Sequence, residues 1–329
     1  MTRSTGIGGV LALVAGLWIC SPGAVHAADL IKIATTTPGV PWNILGAKVA
    51  AELNTRLPNV SVSAGAGGST ANVSDVAKGV AMLGWTVNST ALEARTGTGA
   101  FKDRAVKDFQ VIGPFAVTPL QVIARKGSGI KAIADLKDKR MAMGQASWGT
   151  TQLSLKVLEK FDITPASVKK QGGLMVFTGY DAWQAQMQDN VVDAVVYWGG
   201  IPSALTIGLI NEPGVEFIPF TREEISKVLG DESLKTFLFP MSIKAGTYEP
   251  IKADIDSFTY SSIAIANPKL REDVAYETLK IFYEGNPDTK IYKDGLSQSL
   301  DLAKLWLPTN TLPLHPGAER YFREKGLLK

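Results

Sequence analysis

Apolar positions along this chain follow two alternating rhythms. Leu30-Ile31-Lys32-Ile33-Ala34 is the compact apolar run of a buried strand, and it ends in a Thr/Pro/Gly loop over 35–41. Leu45, Val49, Leu53 and Leu57 then recur at helical spacing until Pro58 stops the helix. Val60-Ser61-Val62 predicts a second strand running into the glycine loop 64–70. Val73, Val76 and Val80 mark the next helix, and 82–87 reads as a third strand. Strand, glycine loop, helix, strand is the rhythm of a parallel α/β sheet. It starts again with strands over 120–124, 141–143 and 192–198, a short helix at Asp135-Leu136 and an amphipathic helix over 153–161. After Ile243 the pattern turns helix-rich, with Val274, Leu279, Ile281 and Phe282 on one helical side.

These rhythms predict a two-lobed α/β protein, each lobe a mainly parallel sheet flanked by helices. One lobe takes 28–117 and 242–329, and the other takes 118–241. The first 27 residues stand apart. Arg3 precedes an apolar run over 7–19, Pro22-Gly23 breaks it, and Val25-His26-Ala27 offers the small-x-small pattern of a signal-peptidase site. A membrane-spanning helix needs about 20 apolar residues, more than this run provides. The expectation is a cleaved signal peptide over 1–27 and a periplasmic location. The one cysteine, Cys20, lies inside that segment behind Ile19, which is too large for a lipoprotein site. A chain cut after Ala27 has no disulfide, no thiolate metal site and no cysteine nucleophile.

Composition narrows the functions further. The chain is 45% hydrophobic and 20% charged with a net charge of +3, ordinary for a soluble protein and far from the basic excess of nucleic-acid binding. Ligands of open parallel sheets sit beyond the carboxyl ends of the strands, where helix starts point N–H groups inward. Four loops fall there and supply the candidate ligand-binding residues. They are Thr37, Trp42 and Asn43; Gly68, Ser69, Thr70 and Asn72; Ser147, Trp148, Thr150 and Thr151; and Tyr197, Trp198 and Gly199. Trp85 and Asn88 join them from the third strand and its exit. Each tryptophan has core packing as its alternative, whereas aromatic walls with a few polar groups suit a small-molecule pocket. Ser69 and Thr70 are expected to cap the following helix and face the cleft.

Catalysis and metals find little support. No Gly-Lys-Ser/Thr follows the glycines, so a phosphate cradle is not indicated. Ala146-Ser147-Trp148-Gly149 approaches a nucleophile elbow, but Gln145 replaces the first glycine, and His315 is the only histidine beyond the leader. A serine hydrolase is the least favoured reading. One histidine and no thiol leave only oxygen ligands, which disfavours zinc or iron and leaves carboxylate-bound calcium open; no metal site or cofactor is assigned.

The run Pro313-Leu314-His315-Pro316-Gly317-Ala318-Glu319-Arg320-Tyr321-Phe322 resembles the signature ending of the TAXI family, the extracytoplasmic receptors of tripartite ATP-independent periplasmic (TRAP) transporters. The stretch 128–137, Gly68-Ser69 with Asn72, the loop 144–150, Gly199-Gly200-Ile201-Pro202 and Ala245-Gly246-Thr247-Tyr248 fall in family order. The resemblance implies a type II periplasmic-binding fold that closes on a small organic acid or amino-acid-like solute. It also implies delivery to an integral membrane TRAP permease driven by an ion gradient. A ligand-sensing receptor for a signalling partner would share these features. Three positions depart from the family pattern. Its paired aromatics and proline appear as Trp42-Asn43-Ile44, its glutamine after the third strand as Val87, and a loop serine as Trp148. No arginine lies in the four loops, which leaves Arg95, Arg125 and Arg140 as candidates to reach the cleft.

Overall fold

The computed structural model describes residues 1–2, 28–36, 38, 41–146, 148–284 and 300–329. Most of the expected signal segment (3–27), Thr37 and Ser147 lie outside the described residues. The first α/β run forms β1 (Asp29–Ala34), α1 (Pro41–Arg56), β2 (Val60–Gly65), α2 (Ser69–Ala77), β3 (Leu83–Val87) and α3 (Asn88–Thr96). A 16-residue strand, β4 (Gln110–Arg125), follows. The second run comprises β5 (Arg140–Met143), α4 (Gly149–Glu159), α5 (Pro165–Lys170), β6 (Leu174–Phe177), α6 (Trp183–Gln188) and β7 (Ala194–Trp198). It continues through α7 (Ala204–Asn211), β8 (Val215–Phe217), α8 (Arg222–Leu229) and β9 (Phe239–Ile243). The chain then crosses back in β10 (Ile255–Ala266) and ends in α9 (Glu272–Glu284), α10 (Leu300–Trp306) and α11 (Pro316–Glu324).

The strands form one curled path in the order β2-β1-β3-β10-β4-β7-β5-β6. The outer groups β2-β1-β3 and β6-β5-β7 are parallel, and the pairings among β3, β10, β4 and β7 are antiparallel. Both groups are wound alike. The first strand is central, the second lies on one side and the third on the other. Winding therefore reverses between β1 and β3, and again between β5 and β7, which opens a crevice at the carboxyl ends of each group. The result is a mixed α/β molecule with two lobes, each closing on its own apolar core. Trp85, Phe115 and Phe282 meet with ring centroids 5.2–5.8 Å apart in one. Trp198, Phe220, Phe258 and Leu158 lie in the other.

Two long strands depart from the expected pattern. The strand read over 120–124 is only the last part of β4, whose earlier part, from Gln110 to Pro119, runs along β10 with two register shifts. Pro114 and Pro119 look like strand breakers, since proline cannot donate to a ladder. Pro114 is tolerated because the register shifts between Ser262 and Ile263 opposite it. Pro119 sits where β4 changes partner from β10 to β7. The region after Ile243, expected to be helix-rich, opens instead with β10, whose polar residues hide its strand character. Those hydroxyls repair the ladder. Ser257 Oγ donates to Leu120 O at 2.6 Å, and Thr259 Oγ1 accepts from Thr118 N at 2.9 Å. Phe239 and Met241 of β9 already pack with Val73 and Phe109 of the first lobe, and β9 pairs with β10. Tyr248 and Ile251 still pack with Ile243, Ile201 and Phe217, and the Tyr248 hydroxyl accepts from Ser203 N at 2.9 Å.

His315 anchors the C-terminal segment. Its Nδ1 accepts from Gly317 N at 3.3 Å, which puts the proton on Nε2, where it donates to Leu270 O at 3.2 Å. The ring thus caps α11 while buried, and burial holds its pKa below the usual histidine value. A protonated Nδ1 cannot accept, and the unfolded chain binds that proton more readily. The stabilisation is therefore complete above the unfolded pKa of about 6.5 and is lost as pH falls through the lower folded value. His315→Ala should cost about 1–2 kcal/mol at neutral pH, read by thermal unfolding. His315→Asn, which keeps a capping oxygen, should show a shallower loss of melting temperature between neutral and mildly acidic pH.

Candidate functional site

The strand exits of the two lobes face a cavity of about 800 Å³, well within the size range of small-molecule sites. Two helices form its walls. Ser89, Leu92, Glu93 and Thr96 of α3 line one side at i, i+3, i+4, i+7 spacing. Gly149, Gln152, Leu153 and Lys156 of α4 line the other with the same spacing. That spacing is one face of a helix, so each lobe offers a single stripe. Trp148, Thr150, Phe237 and Tyr260 are among the residues that line the cavity around those stripes.

The α4 wall is set by close packing at the exit of β5. A Cβ on Gly144 would come within 2.5 Å of Thr151 Oγ1 and 2.7 Å of the Trp148 ring. Only glycine lets those groups approach. Trp148 is the extended N-cap residue just before α4 and makes no side-chain cap, so the first-turn amides precede the first helical bond, Gln152 N to Trp148 O at 3.1 Å. Thr151 Oγ1 is buried there without a partner. Behind Trp148 stands an aromatic stack. Tyr180 meets Trp148 edge-on at 4.8 Å and also touches Trp183 at 4.6 Å and Tyr197 at 5.6 Å. Burial raises the Tyr180 phenol above its usual pKa, partly offset by hydrogen bonding with Thr150. Desolvation pushes Tyr260 up to about 12, opposed by hydrogen bonding with Thr118. Both phenols therefore remain neutral O–H groups at neutral pH.

Of the sixteen expected ligand residues, Trp148 and Thr150 line this cavity. Thr37 and Ser147 lie outside the described residues, Thr151 is buried on the core face of α4, and the rest are engaged elsewhere. Trp85 is fully buried in the first core and donates from Nε1 to Trp42 O at 3.1 Å, so it is core and not a ligand wall. Trp42 packs edge-on against Phe115, and Asn43 Nδ2 donates to Thr35 Oγ1 at 3.0 Å. Trp198 is buried on Tyr260 and Phe258, with its Nε1 lacking a partner. The Tyr197 hydroxyl bonds Ser203 and Thr206, and Gly199 O accepts from Gln121 Nε2 at 3.0 Å. The expected cap by Ser69 and Thr70 is also corrected. Gly68 is the N-cap, Thr70 is exposed, and Ser69 Oγ sits 2.7 Å from Thr86 Oγ1.

Asn72 and Asn88 brace the strand exits from within. Asn72 Nδ2 donates to Thr35 O and Trp85 O at 2.7 and 2.6 Å, while its Oδ1 accepts from Gly68 N at 3.0 Å. Asn88 Nδ2 donates to Phe237 O at 2.7 Å. Tyr180, Tyr260, Lys156 and the α3 stripe escaped the sequence reading. The α3 stripe was legible from its spacing, but Tyr260 reaches the site only through β10.

The three candidate arginines are held elsewhere. Arg140 clasps Asp193 at 2.6 and 2.9 Å, and Arg125 reaches the same carboxylate at 3.3 Å. Burial disfavours the Asp193 charge, yet hydrogen bonds from Arg140 outweigh it and hold the pKa below the usual carboxylate range. This cluster lies at the start of β5 and β7, the end opposite the cavity. Arg95 bonds Lys107 O and stands 6.0 Å over the Phe109 ring. Glu93 and Lys156 are the charged side chains of the cavity lining, one on each wall. Among the described residues no group of histidine, cysteine and carboxylate side chains is arranged to hold a metal.

Residues 33–326 match the NMT1-like family. The chain belongs to that family. Among solved structures it is similar to the periplasmic aliphatic sulphonate binding protein SsuA from Escherichia coli, at 16% identity over 90% of this chain and 84% of that one, with a TM-score of 0.47. The L-cystine solute receptor of Neisseria gonorrhoeae matches at 13% identity over 81% and 92% of the two chains, with a TM-score of 0.45. PstS from Borrelia burgdorferi matches at 10% identity over 80% and 96%, with a TM-score of 0.46.

Core and wall tryptophans should respond differently to truncation. Trp85→Ala should cost about 3–5 kcal/mol in chemical denaturation. Trp148→Ala, at the edge of an open cavity, should cost about 1 kcal/mol.

Proposed function

We propose that this chain is a periplasmic solute-binding receptor that takes a small molecule between its lobes and presents it to a membrane transporter. The observation that carries this reading is the cavity between the α3 and α4 stripes. It is of ligand size, walled by one helix from each lobe, and rimmed by the uncapped start of α4. Trp148 and Thr150 are the predicted residues that we assign to ligand contact, with Tyr260 and Phe237 added. The two lobes would close about β4 and β10, bringing the helical stripes together on the solute.

Within that reading we assign the transporter to the TRAP class and the partner to its integral membrane permease. The support is the run 313–322 and the ordered glycine motifs before it. The leader over 1–27 supports export to the periplasm. No enzymatic role is assigned. His315, the only histidine beyond the leader, has both ring nitrogens engaged at the start of α11.

A thermal-shift screen of amino acids, mono- and dicarboxylates and quaternary amines tests the receptor reading. Binding to the folded state raises stability by RT ln(1 + [L]/Kd), about 2.7 kcal/mol at a hundredfold excess over Kd. At least one compound should raise the melting temperature by several degrees. Binding should also alter tryptophan fluorescence, and Trp148→Ala should remove most of that change and weaken affinity by about tenfold. Absence of any shift across the screen, or ester turnover by the purified protein, would count against the receptor.

A further inference from the structure

We infer that Glu93 and Lys156 form a latch across the cleft, unpaired in this structure and joined when the lobes close. The inference rests on the receptor reading for the closing motion and names the contact that holds the closed state. Neighbouring charges are already committed. On the rim loop after α8, Asp231 is held by Lys160 and by Ser233 N at 2.8 Å, and Glu232 is held by Lys235 at 2.6 Å. Arg95, two residues from Glu93, is turned onto Phe109. The cavity lining keeps one acid on the α3 wall and one base on the α4 wall, and neither has an ion-pair partner among the described residues.

The acid is the fixed half. Gly97 and Gly99 take positive φ, 70° and 52°, so the chain turns sharply at the end of α3. That turn lays Gly99 against the Glu93 carboxyl group, where a Cβ would collide, and Ala100 N donates to Glu93 Oε2 at 3.4 Å. One long hydrogen bond leaves a carboxylate most of its acceptor sites. Glu93 is also half-buried, so it loses little further freedom on pairing.

The base is the movable half. Lys156 is exposed on α4, and Glu159, one turn further on, does not pair with it. Its flexible four-carbon stem carries a compact charge. Lys156 shares the stripe of Gly149 and Gln152, the α4 face that lines the cavity opposite α3. Tyr260 of β10 belongs to the same lining, so bending at the β4–β10 crossing carries one stripe toward the other. An exposed ion pair in water contributes little. Closure removes water from between the walls, which strengthens the attraction. The latch therefore favours the closed state whatever charge the solute carries.

Zero-length cross-linking of the purified, solute-free protein with a water-soluble carbodiimide tests this, because the reagent joins an amine to a carboxylate only where the two touch. Digestion and mass spectrometry should find a Lys156–Glu93 amide beside the Lys160–Asp231 amide, whose partners are already paired and serve as the reference. Raising the salt from about 0.05 to about 1 M should cut the Lys156–Glu93 yield severalfold, since the Debye length falls to about 3 Å. Small-angle scattering of the cross-linked fraction should give a smaller radius of gyration than that of the untreated protein. No Lys156–Glu93 amide where the reference forms overturns the latch. So does a yield that salt leaves unchanged, or an amide with an unchanged radius, which would mean that the pair joins without closure. These failures leave the receptor reading standing, since the thermal-shift screen decides it separately. An amide with a smaller radius, and no compound in that screen that shifts the melting temperature, would leave the closing contact in place while the receptor reading fails.

Discussion

The pairing of β4 with β10 is the constraint on which the rest of the molecule depends. Among the described residues, these two antiparallel strands link one parallel group of the sheet path to the other. A ladder holding Pro114 and Pro119 cannot satisfy every backbone group by itself. Ser257 and Thr259 complete it with side-chain oxygens, and a register shift absorbs Pro114. The crossing is therefore held by hydroxyls where an ordinary sheet uses main chain alone. Tyr260 projects from this crossing into the cavity lining, so the floor of the site and the join between lobes are one element.

The lobes themselves are held by apolar packing, and polar side chains fix their geometry. Asn72 ties three strand and loop carbonyl or amide groups of the first lobe, and Asn88 reaches from the start of α3 to Phe237. Buried amides of this kind stabilise little in net terms but are costly to leave unpaired. Their value here is positional. They fix where α2 and α3 begin, and so where the α3 stripe stands relative to α4.

Charge is distributed with the same separation of roles. An ion-pair cluster, Asp193 with Arg140 and Arg125, closes the amino end of the second sheet. The carboxyl end, facing the cavity, has few charges and several neutral donors. Low polarity at that end strengthens any electrostatic contact made there, and the two arginines stay at the opposite end, on Asp193.

Much of the lobe architecture was legible in the chain. The apolar runs at 30–34, 82–87 and 141–143 and the helical spacing from Leu45 to Leu57 depend on local burial, which hydrophobic periodicity records directly. The glycine loop before α4 and Trp148 within it were legible for the same reason, since each marks a strand exit. Trp85 and Trp198 were not, because an aromatic ring at a strand end can turn toward core or cleft with the same sequence around it. β10 and the first half of β4 were hidden as well. Their prolines and hydroxyls contradict strand propensity, and only the partner strand compensates for them. The sequence by itself determined two α/β runs and the loops at their strand ends, while the strand order within each came from the sheet. The tertiary structure alone decided which residues share the cavity. Glu93 and Lys156 are 63 positions apart and meet across it only because β4 and β10 set one lobe against the other.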